Sequence, residues 1–321
     1  MSDSHELAFN LRIARATDAA EGIRSFELVS SNDAPLPAFT PGAHVRLRTP
    51  AGAVRKYSLC NDPSERHRYV IAVKRDAAGR GGSVSMVDEA REGDLLCVSE
   101  PENAFRMSRG ARSYLFIAGG IGITPILSMI RSLQEQPDAK WRLLYLTRSA
   151  ATTPFVEELR ELDAGGHVII HHDEGDPSRA LDLWPFLEKP QDHQHIYCCG
   201  PRPLMDAVKD MSGHWAAGRV HFESFTDGSV PRKNDQAFIV HLARSHKSVA
   251  VPVGQSILEA VRSAGCEVAA SCESGTCGTC RTGLLAGEAD HRDMVLMPEE
   301  QASQIMVCVS RASGGELTID L

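Results

Sequence analysis

The sequence predicts a multidomain α/β and β chain: an antiparallel β-barrel, then a parallel α/β unit, then a smaller mixed unit. Residues from about 7 to 105 fall into short apolar strands at regular spacing, the pattern of a barrel or sandwich. From Ser113 the rhythm changes to apolar runs alternating with helical stretches. A length of 321 residues exceeds the ordinary range of one domain and leaves room for a third core.

In the first part, RSFELVS, AHVRLRT, RKYSLC, RYVIAVKR and DLLCVSE are separated by Gly, Pro and Asp. In the second, SYLFIAGG, WRLLYLT, HVIIHH, HIYCCG and VHFESF alternate with PILSMIRSLQEQ, PFVEELRELDA and PLMDAVKDMSGHW, as βαβ units do. The polar stretch TDGSVPRKNDQ, with its Gly and Pro, reads as a linker. Beyond it AFIVHLAR and KSVAVPV read as a hairpin, QSILEAVRSAG as a helix ended by Gly265, and GELTIDL as a closing strand. The expected division is 1–109, 110–226, a linker at 227–236, and 237–321.

A composition of 42% hydrophobic and 24% charged residues, without low-complexity tracts, is that of a globular protein. The net charge of −8 argues against a nucleic-acid footprint, which needs clustered Lys and Arg. The polar start MSDSHELAFN and the lack of any stretch long enough to span a bilayer give a cytoplasmic reading with no membrane partner. In such a chain nine cysteines point to free thiols or metal ligands rather than to a disulfide framework.

Spacing decides between these. Cys272, Cys277 and Cys280 stand as C-x4-C-x2-C in SCESGTCGTC, and Cys308 follows in MVCVSR, the plant-type ferredoxin arrangement for a [2Fe-2S] cluster. Gly275 and Gly278 let backbone N–H groups approach the sulfurs. A structural zinc site is the alternative, but zinc sites favour paired knuckles, whereas three ligands here share one Gly-rich loop. Cys60, Cys97, Cys198, Cys199 and Cys266 lack such spacing and read mostly as small buried residues.

FIAGGIGITPILSMI reads as strand, Gly-rich turn and helix start, with Gly119, Gly120 and Gly122 in the turn, Thr124 placed to cap and Pro125 suited to the first helical position. Such a turn can receive a pyrophosphate, although the G-x-G-x-x-G fingerprint is broken by Pro125. CCGPRPLMD, with Cys199, Gly200 and Pro201, repeats the arrangement, and two turns at strand carboxyl ends suggest one ligand crevice with Cys199 at its mouth. Arg148 after YLT suits a 2′-phosphate while Asp173 after HVIIHH suits ribose hydroxyls, which leaves NADH against NADPH open.

In the first part, strand alternation through VRKYSLCND puts Arg55 and Tyr57 on one face and Ser58 on the other. Arginine pairs with phosphate and an aromatic ring covers an isoalloxazine, though either residue alone also fits an ordinary surface strand. GRGGSVSMVDEA is a second Gly-rich loop opening a helix near Ser83, and Lys74 ends the strand VIAVK within reach of a flavin edge.

Together R-x-Y-S (Arg55, Lys56, Tyr57, Ser58), GGIGITP, CCGP, the cysteine set, and runs such as KYSLCND, GEADHRDMVL and QIMVCVSRA resemble the phthalate dioxygenase reductase family over essentially the whole chain. The resemblance implies a flavin barrel of the ferredoxin-reductase superfamily, a nucleotide domain and a β-grasp plant-type ferredoxin domain. It implies FMN rather than FAD, NADH as electron donor, a Rieske-type aromatic-ring oxygenase component as acceptor, and a monomer. By matching motif, Arg55, Lys56, Tyr57, Ser58, Val73, Lys74, Gly81, Gly82, Ser83 and Val84 would bind FMN, with Thr124 approaching from the nucleotide side. Ser58, Cys199 and Phe225 would lie beside the reacting rings. The competing readings are a flavin or quinone reductase with an ancillary ferredoxin domain, and an electron carrier without turnover.

Overall fold

The computed structural model describes residues 7–136, 138–163, 165–216, 218–225 and 231–321. The chain divides into two compact units, Met1–His221 and Phe222–Leu321.

In the first unit, strands β1 (Phe9–Ala20), β2 (Ile23–Ser30), β3 (His44–Arg48), β4 (Val54–Ser58), β5 (Tyr69–Lys74) and β6 (Leu95–Val98) form one antiparallel sheet in the order β4-β3-β6-β1-β2-β5. Its two edges meet just beyond β4, where Leu59 bridges Ile71 and the Cys60 N–H donates to the Val70 carbonyl at 2.9 Å. The sheet curls because alternate side chains are apolar: Leu11, Ile13, Phe26, Leu28, Val45, Leu47, Ile71 and Val73 fill one core. Each such side chain contributes about 1.5–3 kcal/mol on burial. Helix α1 (Gly82–Asp88) adds Met86 to that core.

The second sheet of this unit comprises β7 (Ser113–Gly119), β8 (Lys140–Thr147), β9 (Val168–His172), β10 (Gln194–Cys199) and β11 (Val220–Glu223), in the order β11-β10-β7-β8-β9. Strands β7 to β10 are mutually parallel. Helices α2 (Ile123–Leu133), α3 (Val156–Leu162), α4 (Trp184–Leu187) and α5 (Arg202–Met211) connect them. The chain winds outward from β7 to β9 and then returns to the other side of β7. The strand order therefore reverses between β7 and β10, and ligands of open α/β sheets bind at the carboxyl ends of such a point.

Barrel and parallel sheet share a core. Ile23, Cys60, Val70 and Ala72 of the barrel side pack in one cluster with Tyr114, Phe116, Ile126 and Ile130. The Arg131 guanidinium of α2 donates to the Cys60 carbonyl at 2.5 Å, and the Ser108 N–H donates to the Tyr197 hydroxyl at 2.7 Å. This common core explains why the first two expected parts form one compact unit.

The second unit contains β12 (Phe238–Leu242), β13 (Lys247–Val251), α6 (Ile257–Ser263), β14 (Arg281–Ala286), β15 (Ala289–Asp290), α7 (Pro298–Gln301), β16 (Gln304–Met306), β17 (Arg311–Ala312) and β18 (Glu316–Ile319). Its sheet runs β13-β12-β18-β14-β16, with β12 and β18 parallel, and α6 buries Ile257, Leu258 and Val261 in the same core, a β-grasp. Helix α6 begins with a reciprocal box: the Glu259 N–H donates to Ser256 Oγ at 3.1 Å and the Ser256 N–H to Glu259 Oε2 at 2.8 Å. It ends as the sequence predicts. Gly265 takes φ of 76°, its N–H reaches the Arg262 carbonyl, and the Cys266 N–H reaches that of Val261.

Of the expected linker 227–236, residues 227–230 lie outside the described residues. Its far end is not free tether. The Asp235 side chain is enclosed, accepts from both terminal nitrogens of Arg292 at 2.5 and 3.2 Å, and lies 3.8 Å from Arg311 Nε. Arg292 also holds Asp290, and Arg311 donates to the carbonyls of Gln255, Gln236 and Pro252 while its guanidinium stacks 4.9 Å from the Phe238 ring. The Arg292 hydrogen bonds hold the Asp235 carboxyl down at about 2, against an ordinary 3.8. The ionised form is therefore favoured by folding, fully so above about 3.8 and progressively less as the pH falls through about 2. Asp235→Asn should destabilise the second unit by about 3 kcal/mol, because it leaves buried guanidinium charge uncompensated. Chemical denaturation at neutral pH measures this, and the difference from wild type should vanish below about pH 2.

Candidate functional site

At the carboxyl ends of β7 and β10 the two glycine turns lie directly on one another. Cys199 is in register with Ala118. A β-carbon on Gly119 would meet the Pro201 ring and come within 3.1 Å of Gly200 Cα, and one on Gly122 would run into the Cys199 carbonyl. The two predicted turns thus form one floor, backbone against backbone with the Pro201 ring and the Leu204 side chain packed into it, at the switch point of the sheet.

The helix start differs from expectation. Gly120–Gly122 form a turn of 3-10 helix that runs straight into α2, so Gly122 occupies the N-cap position. Thr124 is buried and its hydroxyl donates back to the Ile121 carbonyl at 3.0 Å, rather than capping the helix. Pro125 consequently stands third in α2, not first. Helical winding begins earlier than the sequence signals suggest because glycines carry it. Cys199 sits at the end of β10 as expected, but its side chain is wholly enclosed in the shared core and does not stand open at a mouth.

Arg148 and Asp173 follow neighbouring strands β8 and β9 at the same sheet end. Arg148 is exposed. The Asp173 carboxylate accepts the Gly175 N–H at 2.8 Å, closing its own turn. Thr147, Thr153 and His172 form a hydrogen-bonded chain between these strand ends, with Thr147 Oγ1 2.7 Å from Thr153 Oγ1 and 2.8 Å from His172 Nδ1.

On the barrel, Arg55 and Tyr57 share one face of β4, with Lys56 and Ser58 on the other. The Arg55 side chain lies across the opening of α1: a β-carbon on Gly82 would fall 3.0 Å from its Nε. Gly81 takes φ of 81°, which turns the chain into α1 with its first N–H groups beside that guanidinium. A phosphate fits this combination of a cation, oriented by its hydrogen bond to the Val54 carbonyl, and the opening turn of a helix. Tyr57 is half-buried against the barrel core, and desolvation pushes its hydroxyl up to about 12, so the ring is neutral at physiological pH. Ser83 Oγ accepts the Asp76 N–H at 3.1 Å, Val84 is half-buried in the first turn of α1, and Lys74 is exposed at the end of β5. Val73 and Ser58 are buried, Val73 within the barrel core, so only the Val73 main chain is available to a ligand.

In the second unit, Cys272, Cys277 and Cys280 lie on the loop between α6 and β14, and Cys308 comes up from beyond β16. Contacts from the thiols of Cys277 and Cys308 pull Cys272 well below an ordinary thiol, and Cys280 bears on Cys308. The N–H groups of Thr276 and Ser274 point at the Cys272 sulfur at 3.4 and 3.5 Å, and Thr279 Oγ1 lies 3.2 Å from that of Cys277. Such donors stabilise thiolates. A two-iron core spreads four thiolates over two metals, and the donors around Cys272 and Cys277 suit such a set. Phe225, in the second unit, is 49% exposed and so is not a core aromatic.

Sequence reasoning missed the support behind these loops: the enclosed Asp235 side chain, the buried Arg292 and Arg311, and the wholly enclosed Asp293 carboxylate. The charged run GEADHRDMVL was the available signal, since charges inside an apolar-flanked segment must find partners if buried.

Residues 240–313 match the model of a 2Fe-2S iron-sulfur cluster binding domain, and residues 116–210 that of an oxidoreductase NAD-binding domain. Along its full length the chain is 51% identical to the phthalate 4,5-dioxygenase oxygenase reductase subunit of Pseudomonas putida, with all of both chains covered. It is 52% identical to the phthalate dioxygenase reductase of Burkholderia cepacia, over 97% of each. The chain belongs to the phthalate dioxygenase reductase family. A solved structure of phthalate dioxygenase reductase, described as a modular structure for electron transfer from pyridine nucleotides to [2Fe-2S], superposes with a TM-score of 0.74 at 51% identity, covering 98% of each chain. The three-part architecture follows, and the chain is an NADH-dependent iron-sulfur flavoprotein oxidoreductase. Among the described residues no helix is long and apolar enough to cross a membrane.

The floor at the switch point gives a steric test. Gly122→Ala should raise the KM for NADH about tenfold or more by forcing the two turns apart, since displacements near 1 Å are costly to alignment. Gly120→Ala, whose β-carbon would meet nothing within 4 Å, should cost only the backbone strain of its φ of 54° and leave KM within a few-fold of wild type. Steady-state kinetics on both variants distinguishes crowding from strain.

Proposed function

We propose that this chain is the cytoplasmic reductase component of a Rieske-type aromatic-ring oxygenase system, carrying electrons from NADH through FMN and the [2Fe-2S] cluster to a separate oxygenase. The observation that carries the proposal is the presence, on one chain, of a nucleotide crevice at a sheet switch point and of three thiols on one loop joined by Cys308, with Cys272 against Cys277 and Cys308 and Cys280 against Cys308. Bound to this chain, FMN and the cluster together supply the conversion of a two-electron donor into single electrons.

The protein's own part is binding, orientation and exclusion of water. Arg55 and the first N–H groups of α1 would take the single FMN phosphate, and the face of Tyr57 would cover the ring system. Lys74, the Val73 main chain and the loop of Gly81, Gly82, Ser83 and Val84 would line the remainder. The turns of Gly119, Gly120 and Gly122 and of Gly200 and Pro201 would hold the pyrophosphate of NADH, with Thr124 and Pro125 at the head of α2. The Asp173 carboxylate suits ribose hydroxyls, and Arg148 is available to the adenosine end. Ser58 and Cys199, small and enclosed, would shape the space beside the reacting rings. Hydride transfer needs no general acid or base, so positioning suffices. Cys272, Cys277, Cys280 and Cys308 would hold the cluster. The chain would act as a monomer.

An anaerobic NADH titration tests the relay. The flavin and iron-sulfur absorbance bands should bleach together, with uptake of about three electrons per chain, two at the flavin and one at the cluster. Bleaching of the flavin alone would remove the cluster from the path and favour a simple flavin reductase. Arg55→Ala should weaken flavin retention about 10- to 100-fold, the worth of a hydrogen-bonded charge on phosphate, as read by fluorescence of released flavin.

A further inference from the structure

Behind the cluster loop two buried polar atoms face each other with no hydrogen-bond partner. Asp293 has a fully enclosed side chain, and its Oδ2 accepts the N–H groups of Val295 and Leu296 at 2.9 and 2.7 Å. Its Oδ1 has no hydrogen-bond partner among the described residues. His291 is 14% exposed at its side chain, and its Nδ1, likewise without a partner, lies 3.9 Å from Asp293 Oδ1.

The tautomer of His291 is fixed by its other nitrogen. Nε2 lies 3.1 Å from the Gln301 carbonyl of α7, and a carbonyl only accepts, so Nε2 carries the hydrogen. In neutral His291, Nδ1 is then a bare acceptor aimed at a carboxylate oxygen that is also an acceptor. Two buried acceptors in this position cost free energy, and one proton placed between them removes the conflict. A small rotation closes 3.9 Å to the length of a charge-assisted hydrogen bond, about 2.8 Å.

Other charges near the pair are already committed. Arg292 is held by Asp235 and Asp290, Arg311 by Asp235 and three carbonyls, and Glu300 of α7 by Arg281 at 2.8 Å. The pair itself abuts the cluster loop. The Met294 N–H donates to the Gly275 carbonyl at 2.9 Å, and a β-carbon on Gly275 would come within 3.2 Å of Asp293 Cα. Gly275 stands between Ser274 and Thr276, whose N–H groups point at the Cys272 sulfur.

We propose that His291 and Asp293 form a redox-linked proton site: the pair takes one proton from solvent when the cluster gains one electron, and releases it when the electron leaves. The added negative charge raises the proton affinity of the pair, and by reciprocity the bound proton raises the electron affinity of the cluster. The step is balanced by NADH as electron source and water as proton source. From the proposed function it takes only that an electron comes to reside on the cluster.

The test is a redox titration of the holoprotein with a chemical reductant and mediators, following the EPR signal of the reduced cluster from about pH 5 to about pH 9. Because NADH is not used, failure of the hydride relay cannot imitate failure here. The wild-type midpoint should fall as pH rises, by a total equivalent to a tenfold or larger change in the reduction equilibrium, about 59 mV or more. His291→Gln should abolish the slope. Asp293→Asn should abolish it as well while keeping the melting temperature, because its carbonyl still accepts from Val295 and Leu296 and its amide supplies a donor to Nδ1 without a proton. A flat wild-type curve, or a slope that survives in either variant, would overturn the proposal. Loss of the cluster from both variants would make the pair purely structural and would overturn it equally.

Discussion

Close packing at glycines, where a β-carbon would collide with its neighbour, is the constraint on which the functional loops depend. Gly122 lies against the Cys199 carbonyl, Gly82 against the Arg55 side chain, and Gly275 against the backbone of Asp293. In each place the glycine makes room for a neighbour packed against the loop, and in the cluster loop the N–H groups of Ser274 and Thr276 point at a sulfur. The same geometry gives an anion floor in the parallel sheet, a phosphate-sized opening on the barrel and a thiolate cradle in the β-grasp. What differs is the neighbour: a second turn, the Arg55 side chain, and the Asp293 backbone together with the Val309 side chain.

Near the third of these, beside the Val309 side chain, the protein also buries charge. Asp235, Asp290, Arg292 and Arg311 are joined in one network, and it ties the entry of the second unit to the segment that backs the cluster loop. An apolar substitute could supply comparable stability, but it would not fix direction as paired guanidinium and carboxylate groups do. Orientation matters here because the N–H groups of Ser274 and Thr276 must be aimed at a sulfur.

Much of this was legible in the sequence. Strand rhythm, the glycine turns and the cysteine spacing are local signals, each set by the chain's immediate chemistry, and they located the barrel, the switch-point turns and the thiol loop. The β-grasp helix was framed by Gly265 for the same reason, while its Ser256–Glu259 start lay inside the predicted segment. What sequence could not supply depends on burial from elsewhere in the fold. Thr124 looked like a cap until glycine-borne winding placed it inside the helix. Cys199 looked open until the barrel closed over the same core. Asp235 read as polar linker because Arg292 and Arg311, its partners, stand more than fifty residues away. His291 and Asp293 were visible as residues, but their opposition was not.

The shared core of barrel and parallel sheet bears on how such a chain can be taken apart and reassembled. Ile23, Cys60, Val70 and Ala72 bury their surfaces against Tyr114, Phe116 and the residues of α2, so a cut near residue 110 would expose two halves of one interior to water. A graft of either half onto a foreign partner would need the whole seam to be repacked. The second unit closes a core of its own. Shuffling of parts, whether by gene fusion or by design, should therefore treat flavin and nucleotide halves as one inseparable cassette.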